Sequence, residues 1–542
     1  MRYILLLSVV AAVALVAPAA GQSAPRPKAQ LCVGHGPTCF PTLAAAVAAA
    51  NDGDTITLAA GTYAGGVTID KSISLVGAGA HQTIIRGGGP VLTIGEDGAT
   101  SEPMVSIRDV TVTGGVNSSV PSAFRAHGGG IYVPANADFS GGATVTIKGS
   151  VITGNRTAPT SIFPSPTGVT CPGGGSCPFA AASGAGIFND GTMTLIDTTV
   201  NDNHAGSPTG VASDVEGGGI NTAVGSLTLI DSTVRRNSAD AVPPDGRFAD
   251  GGGIFMSENT TLTIHDSSVS GNSTLLSATF PHPYPVNGDG STDGIQTNGG
   301  GIHVSDGGST VVDGSQLDGN TITVSDPTGE PVGFDAALCT CGENALTLTN
   351  STVEGNKVVA DVGSQADVGP SGPAALEFDG SGTVSNTRIS GNSTTVISPD
   401  GDAEALGAVG GFQISPDTLT ITDSEITGNT VNASSTTGSA IVQGAGLTND
   451  GVLLLKNDRI DHNSGAASAP SGSGQGGGIF NGVIFGAPPV QLTLQDTSVT
   501  GNTLTGSPGV TLQGGGLYTL GFPIALTDSL ISHNAPDQCF GC

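Results

Sequence analysis

The chain has no tryptophan, and its 542 residues include only 5 tyrosines and 16 phenylalanines. A core built on large rings is therefore excluded, and aliphatic residues must supply the apolar burial. Positive charge is scarce as well: 16 Lys+Arg stand against 45 Asp+Glu, a net charge of −29. Such a surface repels phosphate backbones and anionic lipid, which excludes nucleic acid as a partner. Only one long apolar run occurs, Ile4 to Val16 after Arg2. It is shorter than a bilayer span. With the small residues Ala17-Pro18-Ala19 beyond it, residues 1–21 read as a secretory signal. The mature chain then carries no transmembrane segment and is expected to be secreted or at the cell surface. Charged residues are 11% and glycines number 86, a composition that by itself would suit disorder. The order of the residues argues otherwise.

The stretch Gly251 to Asn272 reads Gly-Gly-Gly-apolar, an alternating run through Leu262 and Ile264, Asp266-Ser267, Val269, and Gly271-Asn272. Counted back from its Asn, the template is aliphatic at −10 and −8, Asp, Asn or Gly at −6, Ser or Thr at −5, and aliphatic at −3. It recurs at Asn155, Asn203, Asn237, Asn272, Asn320, Asn356, Asn392, Asn429, Asn463, Asn502 and Asn534. Spacings run from 32 to 48 residues. Position −8 is aliphatic in every copy, from Ile147 to Leu526, and so is −3, from Ile152 to Ile531. Asp458 alone breaks the Ser/Thr column at −5. A repeat of this length is the mark of a solenoid or array.

Within each copy the period is 2, with β-branched residues and Gly/Asn punctuation, so each copy is short strands joined by tight turns. A propeller blade needs four strands and brings aromatic signatures that are lacking here. Strands returning once per copy and stacking at about 4.8 Å make a parallel β-helix. The expected fold is thus all-β: a right-handed parallel β-helix of about 14 coils with a short N-terminal capping helix. The Asn column would stack as a hydrogen-bonded ladder that satisfies corner backbone groups.

The GGGI and [Val/Ile/Leu]-x-x-Asn elements are similar to the paired repeats of polymorphic outer membrane proteins. More broadly, the chain resembles the pectin-lyase-like class over roughly Gly53 to Asn534. That resemblance implies architecture. The class hosts enzymes, adhesins and spike proteins alike.

In chain order, residues 22–52 are a linker and N-terminal cap, 53–534 the β-helix and 535–542 a C-terminal cap. Thr42 as N-cap, then Leu43, Val47 and Ala50 before Asn51-Asp52-Gly53, predict the capping helix. At the other end Phe540 is expected to fold over Ile524, Leu526 and Ile531. The copies at Asp335 to Leu338 and Ala374 to Leu376 have lost the Gly triplet, so the middle is the least regular part. Eight cysteines form four local pairs, Cys32/Cys39, Cys171/Cys177, Cys339/Cys341 and Cys539/Cys542. In a chain with a signal peptide these read as disulfide candidates.

Enzymatic readings find little support. The QDTL- and LGRPW-type motifs of pectin methylesterases are missing. Ser291-Thr292-Asp293-Gly294-Ile295 resembles part of the polygalacturonase NTDGI motif, without that family's downstream elements. A pectate lyase needs a basic cluster, and Arg235-Arg236 is the only adjacent basic pair. Asp197, Asp231 and Asp266 recur at −6, as turn formers do and a unique catalytic pair does not. No catalytic residue is assigned and no cofactor is expected, with one exception: Asn287, Asp289 and Asp293 have alternate oxygen ligands that suit Ca2+. Tyr132, Phe188, Phe255, Phe480 and Tyr518 follow the Gly-rich apolar position and should point outward, where rings stack on sugars. The expectation is a non-catalytic, adhesive or carbohydrate-binding β-helix partnered by a polysaccharide or cell-surface glycan. The alternative is an extracellular polysaccharide lyase or glycoside hydrolase.

Overall fold

The computed structural model describes residues 28–100, 102–118, 125–159, 163–164, 178–179, 181–206, 214–242, 248–277, 296–326, 332–363, 372–411, 418–484, 490–519 and 521–542. The signal, Cys171, Cys177, Asn287, Asp289, Asp293 and the Ser291–Ile295 stretch lie outside them.

The chain is a parallel β-helix. A regular coil runs through Ile254–Met256, Thr261–His265, Ser268–Ser270 and Ser273–Ser277, then returns through Gln296–Asn298 to Ile302–Val304. Equivalent strands pair in parallel between coils. The first two columns merge into a sheet of 27 strands; the third column has 14 and the fourth 11. Complete coils therefore fall short of the expected fourteen. The fourth column begins only at Val116–Asn117 and ends at Thr503–Gly506.

Register links the repeated residues to the core. Ile264 pairs with Leu229 before it and Val312 after it. Val269 pairs likewise with Val234 and Leu317. Both aliphatic columns are buried throughout the regular coils and stack inside the solenoid. The turn between them needs a left-handed residue. Asp197, Asp231 and Asp266 supply it at φ 47°, 48° and 47°. Their recurrence is thus conformational, since Asp tolerates this region better than most residues.

The Asn ladder forms as expected. Asn237 Oδ1 accepts from the Asn203 backbone N–H (3.1 Å) and side-chain Nδ2 (2.9 Å). Its own Nδ2 donates to Val200 O and Asn272 Oδ1, both at 3.0 Å. The same pattern runs from Asn155 to Asn534. Gly115 N–H feeds the first rung, and Gln538 Oε1 accepts from the last. The −5 column makes a second ladder: Thr198 N–H donates to Ser232 Oγ, Ser232 N–H to Ser267 Oγ and Ser267 N–H to Ser315 Oγ. Asp458 keeps this ladder intact by accepting from Ser424 N–H at 2.8 Å.

At the N-terminal end, the helix Leu43–Ala49 is capped by Thr42, whose hydroxyl accepts from Ala45 N–H, and it buries Leu43, Ala46 and Val47. The C-terminal end corrects the sequence reading. Cys539–Phe540 adds a parallel strand to Leu517–Tyr518, so Phe540 points outward and stacks on Tyr518 at 5.3 Å. It does not cover the last coil, where Leu526 remains 47% exposed. Among the described residues no helix is long and apolar enough to cross a membrane.

Three of the four expected cysteine pairs lie in the described residues, and each is a disulfide: Cys32–Cys39, Cys339–Cys341 and Cys539–Cys542. The Cys32–Cys39 bridge closes the short loop between the first strand, Gln30–Val33, and the capping helix. The Cys539–Cys542 bridge ties the exposed Cys542 back to the last strand. Both therefore fasten chain ends, where few other contacts hold the backbone.

Candidate functional site

The irregular middle is where unusual chemistry collects. In regular coils the first glycine of the triplet is left-handed, as Gly251 is at φ 60° and Gly299 at 59°. At that place the next coil has Asp335, at φ 56° and fully buried. A non-glycine in this region costs about 1 kcal/mol or more and persists only where its surroundings impose it. The two strands that follow, Leu338–Thr349 and Leu376–Ser385, run through the turn that elsewhere separates the first two columns. A register shift between Thr340 and Asn344 absorbs the mismatch. Gly342 sits in that shift at φ 91°.

This rearrangement places polar groups in the outward column. Phe255 pairs with His303, His303 with Cys339, and Cys339 with Glu377. Elsewhere the column holds the rings Tyr132, Phe188, Phe255, Phe480 and Tyr518, with Thr93, Asn221, Gly410 and Thr448 between or beside them. The His303 imidazole is stacked on Phe255 (centroids 5.0 Å apart), and its Nε2 lies 3.0 Å from Ser305 Oγ. Next to it lies the Cys339–Cys341 disulfide. Side-chain ligand atoms of Asp335, Cys339, Cys341 and Glu377 lie within 4.8 Å of one another, and those of His303, Cys339 and Cys341 do likewise. Asp379 accepts from Gly342 N–H at 3.1 Å and so holds the Cys-x-Cys-Gly segment.

The electrostatics are those of a dry acid cluster. His303 Nδ1, both oxygens of Asp335 and Oε2 of Glu377 have no donor or acceptor in place. Burial raises Asp335 well above the usual carboxylate range, and the neighbouring Glu377 and Asp379 add to this. Burial pushes Glu377 up to about 8 and Asp379 to about 7, and it pushes His303 down to about 4. At neutral pH, then, the imidazole is neutral and at least one acid is protonated. A proton shared between Asp335 and Glu377 is the hydrogen bond this pair can make.

Stability should depend on pH through this cluster. The unfolded Glu377 loses its proton near 4.5, the folded one near 8. Between those values the unfolded state binds fewer protons, so stability is full in mild acid and falls as pH rises through the window. The isosteric E377Q should remove this component and melt higher than the parent at pH 8. A variant whose melting temperature tracks the parent's at both pH 5 and pH 8 would contradict the assignment.

The residues singled out in the sequence mostly fall elsewhere. Of the disulfide candidates, only Cys339 and Cys341 enter the cluster. Cys32 and Cys39 sit at the N-terminal end and Cys539 and Cys542 at the C-terminal end, bridged pairwise, and no acid or histidine joins either pair as a ligand group among the described residues. Phe188, Phe255, Phe480 and Tyr518 do lie in the outward column, but they are buried, with Phe480 at 0% exposure. Phe480 stacks on Tyr518 at 5.5 Å, and Phe188 meets His127 at 4.0 Å. The rings make a ladder with their neighbours and present no free face to a sugar; only Tyr132 is half-buried. Arg236 pairs with Asp202 at an exposed turn. The cluster itself was missed. The signal in the sequence was the lost glycine triplet together with His, Cys and Glu in successive copies of a column that elsewhere carries rings or small uncharged residues.

A second feature emerges only from register. The central outward residues of the long strands stack as Thr146, Thr194, Thr228 and Thr263. After Val311 the stripe resumes at Thr347, Thr383 and Thr420. On this parallel sheet Thr146, Thr194, Thr228, Thr263 and Thr420 are half-buried, and Thr347 and Thr383 are exposed. Thr144, Thr192 and Thr261 border them.

No protein-family model matches this sequence, and no curated protein matches it. Among solved structures, a family 28 exopolygalacturonase from Yersinia enterocolitica aligns over 91% of this chain and 75% of its own, at 11% identity and a TM-score of 0.27. The A-module of a mannuronan C-5 epimerase from Azotobacter vinelandii aligns over 92% of this chain and 95% of its own, at 13% identity and a TM-score of 0.22. Both are β-helix proteins of the pectin-lyase-like class. Alignments this loose assign no chemistry, and the fold stands on the strand register.

Proposed function

We propose that this chain is a secreted, non-catalytic β-helix that lies along an extended, neutral polysaccharide through its threonine face. The threonine register carries the reading. Hydroxyls repeat at about 4.8 Å from coil to coil, and about 6.6 Å separates alternate residues along a strand. Each hydroxyl both donates and accepts, as polyol surfaces require. The net charge of −29 disfavours polyuronates and leaves neutral glycans as the better match. Asp335 and Glu377 do not favour the hydrolase alternative, because a buried acid cannot reach a glycosidic oxygen.

The test is co-sedimentation of the mature protein with insoluble neutral glucans and chitin, with pectate alongside. Replacing Thr194, Thr228 and Thr263 together by Val keeps shape and β-propensity. Three lost hydroxyl contacts at ~1 kcal/mol each should weaken binding about a hundredfold. Undiminished binding by the triple variant, or release of reducing ends by the parent, would overturn the reading.

A further inference from the structure

We propose that Asp335, Cys339, Cys341 and Glu377 form a buried, redox-gated metal centre for a divalent cation of the zinc type, with His303 as a neighbouring ligand. This stands independently of the polysaccharide reading. Two sulfurs and two carboxylates make a four-ligand set. Zinc is held by Cys, His and carboxylate at about 2.0–2.3 Å in tetrahedral sites. Ligand atoms of such a site lie about 3.3–3.8 Å apart, inside the 4.8 Å envelope observed.

Two features, on two different coils, point to a ligand. Both oxygens of Asp335 are buried with no N–H or hydroxyl donor, and only a proton shared with the Glu377 carboxyl can pair them, although buried carboxylates without such donors are strongly disfavoured. Across the sulfurs from the carboxylates, His303 directs its ring through a stack on Phe255 and leaves Nδ1 unpartnered. A cation would satisfy all of these groups together. The mixed sulfur and oxygen donors favour zinc over calcium or magnesium, which prefer all-oxygen shells.

The disulfide is the gate. A thiolate reductant attacks the sulfur of Cys341, the less buried partner, and Cys339 leaves as a thiolate. A second thiol from the reductant breaks the mixed disulfide, so two electrons and two protons pass to the pair and the reductant departs as its own disulfide. Cation binding then displaces the two thiol protons and the proton held by the acids. When a small-molecule disulfide, such as the reductant's own oxidised form, exchanges with the two thiolates and takes back the two electrons as two thiols, the bridge re-forms and the cation is released.

The experiment uses the full mature chain and Co2+ as a spectroscopic probe. After anaerobic reduction and removal of reductant, Co2+ should give thiolate charge-transfer and tetrahedral d–d bands at one ion per chain. The oxidised chain should give neither. C339S/C341S should abolish the bands while the other cysteine pairs remain, and E377Q should weaken binding at least tenfold with an unchanged β circular-dichroism spectrum. Three results would overturn the proposal: a Cys339–Cys341 bridge that excess thiol does not reduce, a reduced parent chain without the bands, or bands that persist in C339S/C341S.

Discussion

Asn237→Ala is expected to lower the stability of the surrounding coils by about 4 kcal/mol, among the largest effects of any single substitution in this chain. The side chain is 1% exposed and makes four hydrogen bonds. Its loss strands Val200 O, the Asn203 N–H and the Asn203 Nδ2 donor in a dry corner. Each orphan costs on the order of 1–3 kcal/mol. Asn237→Asp sharpens the test. It keeps the acceptor, loses the donor and buries a charge, so its damage at pH 7 should be partly relieved at pH 4, where the carboxyl is neutral. Chemical denaturation at both pH values measures this. Coils farther along should be less affected, because a solenoid couples mainly to its nearest neighbours. An Asn237→Ala chain within ~0.5 kcal/mol of the parent would remove the ladder from the account.

Gly253→Ala should be at least as severe, for a steric reason. An added Cβ would lie 2.6 Å from Gly301 O and 2.9 Å from Asn272 Nδ2. The first neighbour is backbone held in register by the next coil, and the second is a ladder rung. Neither can yield without breaking hydrogen bonds. Overpacking of this kind costs roughly 1–3 kcal/mol where side chains can adjust, and more where backbone must move. Gly319→Ala is the matched control: nothing lies within 4 Å of its added Cβ, so its cost comes only from its positive φ of 63°. Thermal melts of the two variants, measured side by side, separate close approach from backbone freedom. Equal losses would mean that contact between coils is not what the triplet protects.

Much of this was legible in the residues. Wherever one side chain repeats one job, as Asn237 does at its corner and Ile264 in its column, the column spells out the contact. Asp266 was readable as a turn former because Asp231 preceded it in the same place. Local cysteine spacing was enough to pair Cys32 with Cys39 and Cys539 with Cys542, since each bridge closes only a few residues. The site was harder. His303, Cys339 and Glu377 belong to three different coils, and only register makes them neighbours. The irregularity at Asp335 was visible, but its burial was not. Alternation also showed that Phe255 and Phe480 point outward. It could not show that stacked coils bring such rings against one another and close them off. The threonine stripe is diluted by Val311 and Leu454, so it stands out only once the strands are laid in parallel register.

That register supports both the threonine face and the buried cluster, and it can be measured directly. Nitroxide labels on cysteines introduced at Thr194 and Thr347 lie four paired strands apart, and labels at Thr194 and Thr420 lie six apart. Double electron–electron resonance should give separations near ~19 Å and ~29 Å, rising by about 4.8 Å per coil. Separations that do not increase in proportion to the number of coils would contradict the parallel stack and the site built on it.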